Sequence, residues 1–168
     1  MTAKAGELAE GGMARRPTGM TKQPIPTRED WGDLGIDPEV RSGYRRYGGR
    51  SRDEAMPLFA TSPIERAAEL RVAATAVFNY YVFCFADVLS SPAGAGAADV
   101  ASCFVRLVRD RLRTDPAGVA PIYPALKPAI DSVAERQAFF DADVDIYGSF
   151  SDIVQEIEAA WATGRPAP

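Results

Sequence analysis

Apolar residues recur along this chain at helical spacing, and no segment shows sustained alternation of apolar and polar positions. The strongest signal follows Ser62-Pro63-Ile64-Glu65, which reads as a capping box with proline at the first helical position. Leu70, Ala74, Val77, Phe78, Tyr81, Phe85, Val88 and Leu89 then fall on one helical face. From Ala76 to Ala86 the other faces are apolar too, so the spacing predicts a helix over about 63–90 packed on nearly all sides. A second stripe, Val100, Cys103, Phe104, Leu107, Val108 and Leu112, predicts a helix opened by Asp99 and stopped by Asp115-Pro116. Arg106, Arg109 and Arg113 lie opposite that stripe and read, with Arg111, as a solvated face.

Shorter elements flank these two. Thr27-Arg28-Glu29-Asp30 reads as a helix start, with Trp31 as the first large anchor. Asp37-Pro38-Glu39 opens a helix that carries Val40, Tyr44 and Tyr47 and stops at Gly48-Gly49. Ser51 and Glu54 form a capping box for a short helix disturbed by Pro57. Prolines 116, 121, 124 and 128 predict an extended connector, with Pro128 opening a helix through Ile130, Val133, Gln137 and Phe140. A polar loop over 141–149 leads to a last helix bearing Ile153, Val154, Ile157, Ala160 and Trp161. The expected fold is all-α: a single compact bundle of five or six helices around the central apolar helix of about residues 63–90. The domain is placed at 27–163, between a disordered tail over 1–26 and a short flexible end over 164–168.

Composition removes whole classes of chemistry. The 168 residues include no His, which excludes Ser-His-Asp and Cys-His catalysis, His-ligated metals and imidazole switching. Two Cys, both in apolar runs, exclude a Cys₄ zinc site and a disulfide scaffold, and both read as small core residues. The net charge of −4 argues against nucleic acid as a partner. Val72–Leu89 is the best membrane candidate, but Thr75, Asn79 and Asp87 interrupt it, so a buried helix explains it better. Met1–Gly19 lacks the apolar core of a secretory signal, which points to the cytoplasm, and the Ala, Arg and Gly usage suggests a bacterial source.

Two constellations could carry function. Asp141, Asp143, Asp145 and Asp152 share the spacing of a helix-loop-helix calcium site, with Tyr147 placed to lend its carbonyl. Ile146 stands where that loop needs glycine, and Asp152 replaces the usual bidentate Glu, so an acidic connector is the preferred reading. Arg41, Arg45, Arg46 and Arg50 cluster at a Gly-Gly turn with Tyr44 and Tyr47 between them. They could grip phosphate or an acidic partner, although arginine stems lying over aromatics on a solvated face account for them as well. Phe78, Tyr80, Tyr81, Phe83 and Phe85 could line a pocket, but their spacing fits a core better. No cofactor motif occurs. With no catalytic constellation, the expected function is a non-catalytic module that binds another protein, of the adaptor or toxin-neutralising type. A metal- or small-ligand binder using 141–152 is the first alternative, and a small His-independent enzyme the second.

Overall fold

The structure is a computed structural model that describes residues 23–164. The Asp37 carboxylate accepts from the N–H groups of Glu39 (2.8 Å) and Val40 (3.4 Å), and Pro38 fills the first helical position. Helix α1 therefore runs Pro38–Tyr47 and ends at Gly48-Gly49, where Gly49 takes a φ of +74°. Ser51 and Glu54 complete the capping box, and α2 runs Arg52–Thr61 with Pro57 inside it. Before α1 the expected helix at Thr27 is only a 3₁₀ turn, Glu29–Trp31, tied by Asp30 to the Thr27 N–H at 2.7 Å. Most of the expected tail lies outside the described residues, as do residues 165–168. Gln23–Pro26 are described, without regular structure, and Pro26 is buried.

The predicted 63–90 helix is two helices. Helix α3 spans Pro63–Val72 and α4 spans Thr75–Ser90, separated by Ala73 and Ala74 with extended ψ values of 153° and 152°. Ser62 makes no side-chain cap, so the second capping box does not form. The break is held from a distance. Helix α5, Ala98–Thr114, brings Arg111 to the loose end of α3, where its guanidinium donates to Ala73 O (3.0 Å), Arg71 O (3.4 Å) and Thr75 Oγ1 (3.2 Å). The same group stands 5.0 Å over the Phe78 ring. Thr75 in turn donates to Asp115 at 2.6 Å, and Asp115 accepts from the Gly118 N–H at 3.0 Å. Carbonyls that helix continuation would have satisfied are thus satisfied by a side chain forty residues on.

The proline-rich stretch is also helical rather than extended. Pro116 opens the short α6 (Pro116–Val119), and α7 runs Tyr123–Glu135 with Pro124 in its first turn and Pro128 inside. Proline in a first turn costs nothing, because its missing N–H has no partner in the helix there. A 3₁₀ turn, Gln137–Phe140, follows, then α8 (Val144–Tyr147) and α9 (Phe150–Gly164). No strand occurs among the described residues, and the fold is an all-α bundle.

Helix α4 is its centre, buried on nearly all sides by α2, α5, α7 and the first 3₁₀ turn. Beyond it α5 packs between α3 and α9. An aromatic cluster joins the layers: Trp31, Tyr47, Phe59, Tyr81 and Phe85 meet edge-on or tilted, with neighbouring centroids 4.8 to 6.0 Å apart. The candidate pocket aromatics of α4 are therefore core, and Asn79 spends its amide on Gly118 O at 2.9 Å. No described helix is long and apolar enough to cross a membrane.

The arginines of α5 do not form a solvated face. Arg109 and Arg113 reach Glu156 of α9, at 3.3 and 2.9 Å, while Arg106 and Arg111 bind backbone carbonyls. Opposite, α3 presents a buried bidentate ion pair to α1: Arg66 donates to Glu69 at 2.6 and 2.7 Å, and Ser42 of α1 adds a bond of 2.8 Å.

The break cluster makes stability depend on pH. The Thr75 hydroxyl first, then the Gly118 N–H and Arg111, hold the Asp115 carboxyl below the usual carboxylate range. A depressed folded pKa contributes stability above the unfolded value near about 3.9, and that contribution is lost as pH falls through the folded value. Asp115→Asn is therefore expected to cost more at pH 7 than at pH 3, as read by denaturant midpoints. Equal losses at both pH values would show that the charge is not linked to folding.

Candidate functional site

Turns and side-chain caps build the acidic segment. Asp141 has a φ of +56°, the single non-glycine residue in the left-handed region among the described residues, and aspartate tolerates it. It ends the Gln137–Phe140 turn and sends 141–149 back toward the start of α5. Gln137 spans the segment. Its amide nitrogen donates to Ala142 O (3.0 Å) and Gly148 O (2.8 Å), and its oxygen accepts from the Phe150 N–H (2.8 Å), one of the unpaired donors at the start of α9. Arg106 donates to Tyr147 O at 2.7 Å, and the Gly96 N–H donates to Phe139 O at 3.0 Å.

These ties join α5 and the preceding Gly96 to the loop and its leading turn, and the corner between α2 and α3 lies beside them. A solvent-open cleft of about 390 Å³ lies between them. Three segments line it: residues 60–63, residues 96–100, and Asp141 with Tyr147. The Tyr147 hydroxyl donates to Asp99 Oδ1 at 2.9 Å. That bond raises the Tyr147 pKa, with desolvation and the Asp99 and Asp141 charges adding to it, so the hydroxyl keeps its proton. Asp99 does not cap α5 as expected; it lies in the first turn, where the helix dipole favours a carboxylate. One turn on, the half-buried Cys103 thiol is pushed up to about 11, by burial first and then by Asp99, which leaves it a poor nucleophile. Burial raises the Cys84 thiol further still, and it makes only a long contact of 3.8 Å to Arg52 O.

Several exposed apolar residues are chain neighbours of the lining. Of the seven large hydrophobic residues exposed among the described residues, four adjoin its lining along the chain: Ile64 follows Pro63, Val144 and Ile146 lie between Asp141 and Tyr147, and Phe139 carries the carbonyl that anchors Gly96. Ile64 is 63% exposed and Ile146 76%. Their one sequence signal was a pair of large apolar residues inside a polar loop. The meeting of Asp99 with Tyr147, 48 residues apart, left no local signal at all.

The four carboxylates of the calcium-like spacing do not converge, and no group of metal-ligating side chains occurs among the described residues. Ile146 lies in α8 in a right-handed turn, so the sharp bend of a calcium loop is absent at its position. The Tyr147 carbonyl, which would face the ion, is taken by Arg106. Asp143 instead caps α8 through the Asp145 N–H at 2.8 Å, and Ser149 accepts from Asp152 N–H at 3.2 Å.

The members of the arginine cluster have different surroundings. Tyr47 is fully buried and cannot take part in a grip. Tyr44 leans on Trp31, with Arg28 over its ring at 5.4 Å. Arg46 points toward Glu69 at 3.9 Å, while Arg41 is half-buried and Arg45 and Arg50 are exposed. The Gly48-Gly49 turn offers acceptors rather than donors: the Tyr81 hydroxyl reaches Tyr47 O and Arg50 O, both at 2.8 Å. Comparison with protein-family models, curated proteins and solved structures gives no match to this chain.

Proposed function

We propose that this chain is a non-catalytic protein-binding module, of the adaptor or toxin-neutralising type, and that the cleft between the α2–α3 corner and the 141–147 loop is its docking face. The observation that carries the reading is that exposed Ile64, Val144 and Ile146 all lie within three residues of the lining of one cleft. Apolar groups held in water at the rim of a cleft gain free energy when a partner covers them. The upward shifts of Tyr147, which lines the cleft, and of Cys103, one turn beyond Asp99, add support, since neither group is an activated nucleophile. The composition suits a bacterial, cytoplasmic setting.

The test is site-specific photo-crosslinking of the full chain in bacterial cells, with benzoylphenylalanine at position 146 and, as control, at the exposed Ala162 of α9. Discrete protein adducts are expected from 146 alone, and Ile64→Ser should suppress them. Adducts of equal strength from both positions, or none from a folded 146 variant, would overturn the reading. Ile64→Ser and Ile146→Ser should each leave stability within about 0.5 kcal/mol, as surface changes do.

A further inference from the structure

We infer that the partner of this cleft is a basic, amphipathic protein segment that places a Lys or Arg side chain between Asp99 and Asp141 and lays apolar residues on Ile64 and Ile146. The inference rests on the protein-binding reading above and narrows it to one chemistry. Two carboxylates and no cation line the cleft. Among the described residues no Lys or Arg comes within 4.0 Å of Asp99, Asp141, Asp143 or Asp145. The cation nearest the loop, Arg106, is committed to Tyr147 O and Ser102. Asp99 gives Oδ1 to Tyr147, which fixes the carboxylate in place and leaves Oδ2 for an incoming donor.

A free amine would answer the charge but not the rim. Ile64 follows Pro63 and Ile146 precedes Tyr147, so the two exposed side chains flank lining residues of different segments, and covering both takes a chain rather than a small cation. Ala60, Gly96 and Ala97 have side chains small enough for a main chain to approach. Charge complementarity sets the orientation and the encounter rate, and the apolar contacts hold the complex.

The experiment titrates the isotope-labelled full chain with three synthetic peptides, one of Leu and Lys in amphipathic helical spacing, one with Glu for Lys, and one of Gly, Ser and Lys without apolar residues. The Leu/Lys peptide is expected to shift the amide signals of Gly96, Asp99 and Tyr147, and the other two to bind much more weakly. Asp99→Asn with Asp141→Asn should weaken binding by about tenfold or more, and added salt should act in the same direction. Asparagine keeps an acceptor for Tyr147 and tolerates the left-handed backbone at 141, so an unchanged spectrum of the free variant verifies the fold. If the Leu/Glu peptide binds equally well, and only Ile146→Ser weakens it, the basic partner is overturned while the cleft remains a docking face. Absence of cleft shifts with every peptide also overturns the inference, and the crosslinking result then decides separately whether the module reading survives.

Discussion

Glu69→Leu is expected to destabilise the full chain by about 3–5 kcal/mol, and adding Arg66→Met in the same chain should restore most of that loss. Both side chains are about 1% exposed, and the carboxylate takes both guanidinium bonds as well as the Ser42 hydroxyl. Removing the carboxylate alone strands a guanidinium under α1, with only the Tyr47 ring, 5.8 Å away, to offset its lost solvation. Removing both ions lets two apolar side chains of similar length fill the same space. Arg46, more than half exposed, loses a 3.9 Å contact and turns to water at little cost. Urea unfolding of the wild type, both single variants and the double variant measures the cycle. Should the double variant be as unstable as Glu69→Leu, the interface would need the charges themselves and not just filled volume.

Phe85→Ala should cost about 3–5 kcal/mol. The ring is wholly buried on α4 and meets Phe59 of α2 at 88° with centroids 5.0 Å apart. Around it Tyr47, Tyr81 and Trp31 are locked edge to face, so the surroundings cannot collapse into the space left behind. The midpoint of unfolding should fall without a change in the denaturant slope. A loss below about 1 kcal/mol would mean that the aromatic cluster is loosely packed and that the face of α4 bearing it is a site instead of a core.

What the chain disclosed about itself followed the range of the forces involved. Caps and short-range periodicity placed α1, α2, α5 and α9 to within a few residues, because Asp37, the Ser51–Glu54 box and the Phe104–Leu107–Val108–Leu112 stripe act locally. The break at Ala73-Ala74 stayed hidden because alanine is the best helix former, and the group that pulls the chain open is Arg111. Reading Pro124 as part of an extended connector ignored how readily a helix's first turn accepts proline, so α7 begins five residues before the start expected at Pro128, which lies inside it. For the site, the acidic loop was visible and its cleft was not. Gly96 and Asp99 reach it from one other segment and Thr61 and Pro63 from a second, and only the folded chain brings them together.

Gln137 has a bearing on kinetics. One amide fastens Ala142, Gly148 and Phe150 at once, so one wall of the cleft is ordered before any encounter. Prior order removes much of the entropy that a loop would otherwise surrender on complex formation. A partner then meets a finished surface, and its association rate should be single-phase, proportional to concentration and sensitive to ionic strength, with no slow unimolecular step. Gln137→Ala would change that regime by loosening the wall, adding a lag that persists when the partner is in large excess.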